Sequence, residues 1–292
     1  MAARQPFTTL CQQLARRRLS ARVDLHIHTT FSDGAYTPAE VVDLARRSGL
    51  PALAITDHDT IAGIEPARGA AKDWLEIISG VEITCQFQNE PFHLLGYFFR
   101  EENQSLSELL NRIHEHRRQR FGEMMERLGK LGIRLPAGAL PEQPHCAMGR
   151  RHLAELLVKA GQAGTVREAF FRYLRDEGPV AVPHLAVPIA QAIAVLRGAG
   201  GVAAWAHPPY DCTRESLLLL RQLGLQAVEV DFPSCRPGQS KELRNWAREL
   251  RLLITGGSDC HGPGLRSVGS GGISMAELEN LREMGGICTR SP

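Results

Sequence analysis

Along this chain the spacing of apolar positions switches repeatedly between a period of two and a period near 3.6. Each switch predicts a change of element. Residues 22–28 alternate polar and apolar like a strand. Residues 38–47 carry helical spacing, with Pro38 near the first turn and Gly49 just past the end, the expected helix punctuation. A short apolar strand follows at 52–56, a helix at about 61–74, and two strands at 76–86 and 92–99. From 105 to about 173 only helical spacing appears, broken near Pro136–Pro144. Alternation then resumes, with strands at 201–205, 227–231 and 252–255 and helices near 189–197, 215–223 and 239–250. Repeated βα units imply a mostly parallel sheet, open or closed into a barrel, with the helical stretch inserted into it.

Composition narrows this little. The 292 residues suit one large α/β domain or two small ones. No run approaches the roughly 18 apolar residues of a membrane helix, so no membrane partner is expected. A net charge of +2 makes no global demand for nucleic acid. Seven widely spaced cysteines without a C-x-x-C point to reduced thiols and a cytoplasmic setting. Residues 1–22 hold five arginines and no acid, read as a basic N-terminal extension on the surface rather than a transit peptide.

The chemistry lies in nine N/O groups: His26, His28, Asp33, His58, Glu82, His93, His207, Asp259 and His261. Most fall just after a predicted strand, where a βα barrel assembles its active site. His26 and His28 share one side of a strand because side chains alternate. Glu82 lies in an apolar strand, where a buried carboxylate needs a partner. Asp33 sits in a Ser-Asp-Gly turn and His58 in Thr-Asp-His-Asp, and either alone is ordinary loop chemistry. Cys260, between Asp259 and His261, points away from them and packs. Nine ligands exceed the four that satisfy one zinc, so two or three divalent ions sharing a bridging carboxylate are expected. Imidazole and carboxylate without thiolate suit manganese, iron or zinc.

The stretches Asp24-Leu25-His26-Ile27-His28-Thr29, Ser32-Asp33-Gly34, Thr56-Asp57-His58-Asp59, Gly80-Val81-Glu82, His93, Ala206-His207-Pro208 and Gly256-Gly257-Ser258-Asp259-Cys260-His261 together resemble the PHP (polymerase and histidinol phosphatase) family of metal-dependent phosphoesterases. The resemblance implies a distorted (β/α)7 barrel with a trinuclear site, manganese favoured. By that likeness His26, His28, Glu82 and Asp259 hold one ion, Asp33, His58 and His261 a second, and Glu82, His93 and His207 a third. The barrel would comprise 23–99 and 180–292, with 100–179 a helical insertion capping the substrate. Within the family the chain is similar to the nucleoside 3′,5′-bisphosphate phosphatases and related 5′→3′ exoribonucleases. Their Arg-x-x-Arg helix matches Arg117 and Arg120, their Arg-x-His matches Arg150 and His152, and one of their histidines matches His184. The chain departs from the subgroup at Glu177-Gly178-Pro179, where a Gly-Lys-Pro is expected, and in a shorter loop after His207.

The helix periodicity bears on these arginines independently. Arg117 and Arg120 fall within the apolar stripe of Leu106, Leu109, Leu110, Ile113, Met124, Leu128 and Leu131, whereas Arg118 lies off it. They either pair with core acids or bind a substrate phosphate, for which the planar guanidinium is suited. His114, His116 and His145 carry no such argument. The implied reaction is phosphate monoester hydrolysis of a small nucleotide by a metal-bound hydroxide, with His184 a candidate general acid or else a supporting residue. Alternatives are short RNA or histidinol phosphate as substrate, a carboxylated-lysine amidohydrolase, and a non-enzymatic module. None of the four lysines lies beside a ligand motif, and no ligand position is lost.

Overall fold

The computed structural model describes residues 22–135 and 146–285. The basic extension apart from Arg22, the break at 136–144 and His145 lie outside the described residues. Six strands form one curled sheet in chain order: β2 (Ala52–Ile55), β3 (Glu76–Phe87), β4 (Glu90–Tyr97), β5 (Val202–Trp205), β6 (Ala227–Asp231) and β7 (Leu253–Gly256). A separate antiparallel pair joins β1 (Arg22–Val23) to β8 (Ile273–Ser274).

The predicted strand at 22–28 forms a regular ladder over only two residues, because residues 24–28 serve two neighbours at once. The Ala54 and Thr56 N–H groups donate to the Asp24 and Ile27 carbonyls at 3.0 and 2.9 Å. The Leu25 and His28 N–H groups donate to the Gly256 and Cys260 carbonyls at 3.1 and 3.0 Å. One segment thus bonds to both edges of the curled sheet, which leaves neither exposed for mispairing.

The sheet is less parallel than the pattern predicts. The pairs β2–β3, β5–β6 and β6–β7 are parallel, but β4 runs antiparallel to both its neighbours. The cause is local: Gln88 and Asn89 adopt φ of 53° and 67°, a tight left-handed turn that makes β3 and β4 a hairpin. The flanking helices follow their sequence signals. Pro38–Ser48 opens on a reciprocal Thr37–Glu40 capping box and closes on Gly49 at φ 68°. A last helix, Met275–Met284, is not predicted by the periodicity, although the Ser274-x-x-Glu277 capping box announces it.

Period two sorts each strand into an outer and an inner face. Ile77, Val81, Ile83, Leu94, Ala203 and Val228 join the large cluster under the helices. Ala52, Ala54, Ile78, Leu95, Tyr97, Ala204 and Ala227 form a second cluster inside the curl, plugged by Leu278 and Leu281. The same inner parity carries Glu82, His93 and Glu229, one or two steps further along. Alanines keep the interior narrow, and the Tyr97 hydroxyl is satisfied by donating to the Leu25 carbonyl at 3.0 Å.

The predicted helical stretch contains Gln104–Lys130, Arg150–Lys159 and Val166–Ala169, the last running into a π-helical turn at Phe170–Leu174. The long helix has two partners. Leu106, Leu109, Leu110 and Ile113 pack into the large sheet-and-helix cluster. Phe121, Met124 and Leu128 instead build a third core with Leu153, Leu157, Leu174 and Val180.

Candidate metal centre

The sheet brings all nine predicted ligands together, in four overlapping groups whose ligand atoms lie within 4.8 Å of one another. His28, Asp33, His58 and His261 form one, and His26, His28 and Asp259 another. His26, Glu82 and His207 form the third, and His58, Glu82 and His93 the fourth. Glu82 is fully buried at the centre. Its Oε2 lies 3.3, 3.2 and 3.1 Å from nitrogens of His26, His28 and His58. Its Oε1 lies 3.0 Å from both His93 Nδ1 and His207 Nε2. The two oxygens therefore face different histidine sets, as a bridging carboxylate must. Asp259 Oδ1 completes the His26–His28 side at 3.5 and 3.3 Å. The Asp33 carboxylate stands 3.4 Å from His261 Nε2 and 4.0 Å from His58 Nε2. His26, His28 and His58 each belong to two groups, so the boundary between ligand sets is less sharp than the resemblance implies.

These residues fit a cation. His26 Nε2, His28 Nε2, Asp33 Oδ1, His58 Nδ1 and Glu82 Oε2 are buried with no hydrogen-bond partner, although Glu82 Oε2 lies 3.1 to 3.3 Å from the three imidazole nitrogens. Such orphaned atoms are costly, at about 1–3 kcal/mol each, and five of them converging from acids and imidazoles are what divalent ions satisfy. Burial alone would raise the Glu82 carboxyl, but His58, His93 and His26 hold it well below the usual range. Burial likewise opposes the charge on His28, yet Asp259 and Glu82 push its pKa up to about 10. His207 and Asp259 also hold positive φ, 31° and 47°, backbone strain of the kind found at functional sites.

Behind the ligands stand acids that the sequence pattern assigns no role. Glu229 takes His26 Nδ1 at 3.0 Å through one oxygen and the His207 N–H at 2.6 Å through the other. Its signal is the same as that of Glu82, a carboxylate in an apolar strand. Asp57 accepts from the Thr29 N–H at 2.6 Å and the Ser32 hydroxyl at 2.6 Å, fixing the turn that carries Asp33. Arg266 donates to Asp259 Oδ2 at 2.5 Å, leaving Oδ1 toward the histidines. Groups that orient metal ligands typically matter about 10–100-fold. Glu229→Gln is accordingly expected to lower metal affinity about 10–100-fold with the fold intact, read by manganese titration and circular dichroism.

The predicted phosphate-binding residues divide. Arg120, Arg150 and His184 line one cavity of about 310 Å³. A second, of about 620 Å³, is lined by His93, His207, Trp205 and Phe92. Pro91, Arg150 and Asp176 border both. Arg117 is held elsewhere, its Nε donating to Asp59 Oδ2 at 2.6 Å. His152 is also engaged, its Nδ1 accepting from the Gly149 N–H at 3.1 Å and its Nε2 lying 3.7 Å from Cys146 Sγ. Neither Arg151 nor Arg175 stands in for the basic residue missing at Glu177-Gly178: Arg151 faces Glu155 at 3.3 Å and Arg175 lies over the Phe171 ring. Burial, then Arg120, Arg117 and Arg150, drive the His184 pKa down to about 2. Burial and the neighbouring Arg150 and Arg117 also lower Arg120, to about 10.

The PHP domain model matches residues 24–171, half of the chain. The chain belongs to the PHP family. Two curated relatives of this PHP protein match over most of their length. The 5′-3′ exoribonuclease Rnm of Escherichia coli K12 is 36% identical over 255 residues, 82% of this chain and 85% of that protein. The 3′,5′-nucleoside bisphosphate phosphatase of Chromobacterium violaceum is 33% identical over 270 residues, 89% of this chain and 93% of that protein. A solved structure from Bifidobacterium adolescentis, described as a metal-dependent phosphoesterase, superposes with a TM-score of 0.85 at 31% identity, covering 91% of this chain and 96% of that one. This PHP protein is a metal-dependent phosphoesterase, and its nine clustered ligands are the groups available to hold the metal.

Proposed function

We propose that the protein hydrolyses a phosphate monoester of a small nucleotide, a nucleoside 3′,5′-bisphosphate. The observation that carries this reading is a second anion-seeking site beside the ligand cluster. Arg120, Arg150 and His184 share a cavity that borders the one containing His93 and His207. A substrate with one phosphate needs only the metal side. A substrate with two fills both, and the second phosphate relieves the crowding of like charge that depresses Arg120. Arg150 is tied to Asp176 and to the Leu174 carbonyl, so a phosphate competes with an exposed carboxylate there.

In this reading the cluster holds two or three divalent ions, manganese favoured. When bound, such ions polarise phosphoryl oxygens and bring the pKa of a coordinated water toward ~7. The chain's own residues do the rest. Glu229 fixes the ring of His26 and the backbone of His207. Arg120, its guanidinium steadied by Nε donating to the Val182 carbonyl at 2.7 Å, grips the non-reacting phosphate. His184 is neutral in the free protein and serves as proton donor only once a bound phosphate raises its pKa. A His184→Ala protein with unchanged turnover removes it from the reaction. The described residues of the 100–179 insertion cap the site, and 24–28 closes the sheet as the seventh strand of a (β/α)7-type barrel. A cytoplasmic setting fits the thiols, since Cys85, Cys146, Cys212, Cys235 and Cys260 are free. Among the described residues no helix is long and apolar enough to cross a membrane.

The test is phosphate release by manganese-loaded protein from adenosine 3′,5′-bisphosphate, 5′-AMP, histidinol phosphate and a short 5′-phosphorylated RNA, side by side. The bisphosphate should give the highest kcat/KM. Arg120→Ala should raise its KM about 10–100-fold, the worth of a charge-assisted phosphate contact, while leaving 5′-AMP hydrolysis nearly unchanged. Preference for histidinol phosphate, or indifference to Arg120, would overturn the substrate assignment and keep the phosphoesterase. Preference for the RNA would make the larger cavity a strand path.

A further inference from the structure

Arg117 is an arginine at the phosphate end of the molecule that faces no phosphate site. It lines neither cavity beside the ligand cluster. Its side chain is 9% exposed, and its fork is spent on protein. Nε donates to Asp59 Oδ2 at 2.6 Å, and a terminal nitrogen donates to Thr84 Oγ1 at 2.9 Å. Asp59 Oδ1 accepts the Thr84 N–H at 2.7 Å, so the three residues form a closed ring. The Asp59 N–H donates to the Glu82 carbonyl at 2.9 Å, which ties the ring to the strand of the bridging carboxylate.

The ring lies among three ligands. Asp59 directly follows His58, Thr84 is two residues past Glu82, and Thr84 is the cross-strand partner of His93. Asp59 also holds φ of 54°, a left-handed conformation that a non-glycine residue keeps only when its surroundings enforce it. The bonds to Arg117, Thr84 and Glu82 are that enforcement. We propose that Arg117 is a positioning residue of the metal centre, pinning the long helix to the His58–Asp59 turn and thereby fixing where His58 and His93 stand. This buried ion pair couples the helical insertion to the His58 side of the ligand cluster. The inference rests on the ligands holding metal, and goes beyond that reading by assigning the arginine to the ions rather than to the substrate.

The experiment is equilibrium manganese binding to metal-free protein, without substrate. Wild type, Arg117→Lys, Arg117→Ala, Asp59→Asn, the Arg117→Ala/Asp59→Asn double variant and Arg120→Ala are compared. Arg117→Ala and Asp59→Asn should each weaken manganese binding about tenfold or more. The double variant should be no worse than either single one, since both break the same pair. Arg117→Lys keeps the charge and the fold but not the fork, and should lose several-fold. Arg120→Ala should bind manganese like wild type. Unchanged manganese affinity in Arg117→Lys and Asp59→Asn, with only the substrate KM raised, would make Arg117 a phosphate ligand and overturn the proposal. Additive losses in the double variant would overturn the coupling. Wild-type protein that takes up no manganese would remove the metal reading and this inference with it, an outcome distinct from both.

Discussion

Glu82→Gln is expected to reduce phosphate release at saturating substrate by at least about 10³-fold, roughly 4 kcal/mol of barrier. The Glu82 carboxylate faces five candidate ligands: one oxygen meets His26, His28 and His58, the other His93 and His207. An amide in the same place is isosteric but neutral, and offers one acceptor where two are needed. Two sets of imidazoles would then confront each other without the charge that holds them together. The variant should fold, because glutamine matches Glu82 in size and leaves the apolar interior of Ile78, Leu95, Tyr97 and the inner alanines unchanged. Circular dichroism and thermal melting establish the fold, and steady-state phosphate release with metal counting reads the loss. A Glu82→Gln protein that keeps a tenth of wild-type turnover would show that no shared carboxylate is required.

Removal of metal should abolish turnover and lower the melting temperature by about 10 °C, since ligand at a thousandfold its Kd stabilises by about 4 kcal/mol. Readdition of manganese should restore both. The pH dependence has a definite sign. Burial disfavours charge on His28, but Asp259 and Glu82 raise its pKa to about 10, and Glu229 and Glu82 likewise carry His26 well above its ordinary value. Both shifts favour bound protons on these imidazoles in the metal-free protein. An ion must displace them, so manganese affinity rises with pH, about tenfold per unit for each proton released. A calorimetric titration in buffers of differing ionisation enthalpy counts those protons. Affinity that falls between pH 6 and 8 would contradict the upward shifts of His26 and His28.

Most of the candidate ligand set is legible in the sequence because those residues end or interrupt an apolar run, whereas Asp33 in its Ser-Asp-Gly turn is not. An acid or imidazole there departs from a pattern that buried β-structure otherwise enforces. Glu82 in its apolar strand is the clearest instance. Glu229 carries the same signal in Ala227–Asp231, and only the family resemblance separates Glu82 from it. The antiparallel course of β4 depends on two residues, Gln88 and Asn89, whose left-handed turn competes with the βα rhythm of the rest of the chain. Arg117 shows where periodicity stops. Helical spacing places it on the apolar stripe beside Arg120, and both are buried. Whether the guanidinium meets a phosphate or the Asp59 carboxylate depends on a contact 58 residues away in sequence, which no local pattern encodes. The last helix escapes the periodicity for the opposite reason: its capping box is present, but its apolar stripe is short, with Met275, Leu278 and Leu281 buried.

In the proposed function these nine side chains form the metal centre for phosphate ester hydrolysis. This is tested most directly by counting metal and phosphate in one preparation. Chelator-treated protein is titrated with manganese, bound ions per chain are measured by mass spectrometry, and phosphate release from adenosine 3′,5′-bisphosphate is followed at each point. Turnover should be absent without metal and should rise in step with occupancy to two or three ions per chain. Full activity in the metal-free protein, or two or three ions bound with no phosphate released from any nucleotide, would contradict the account.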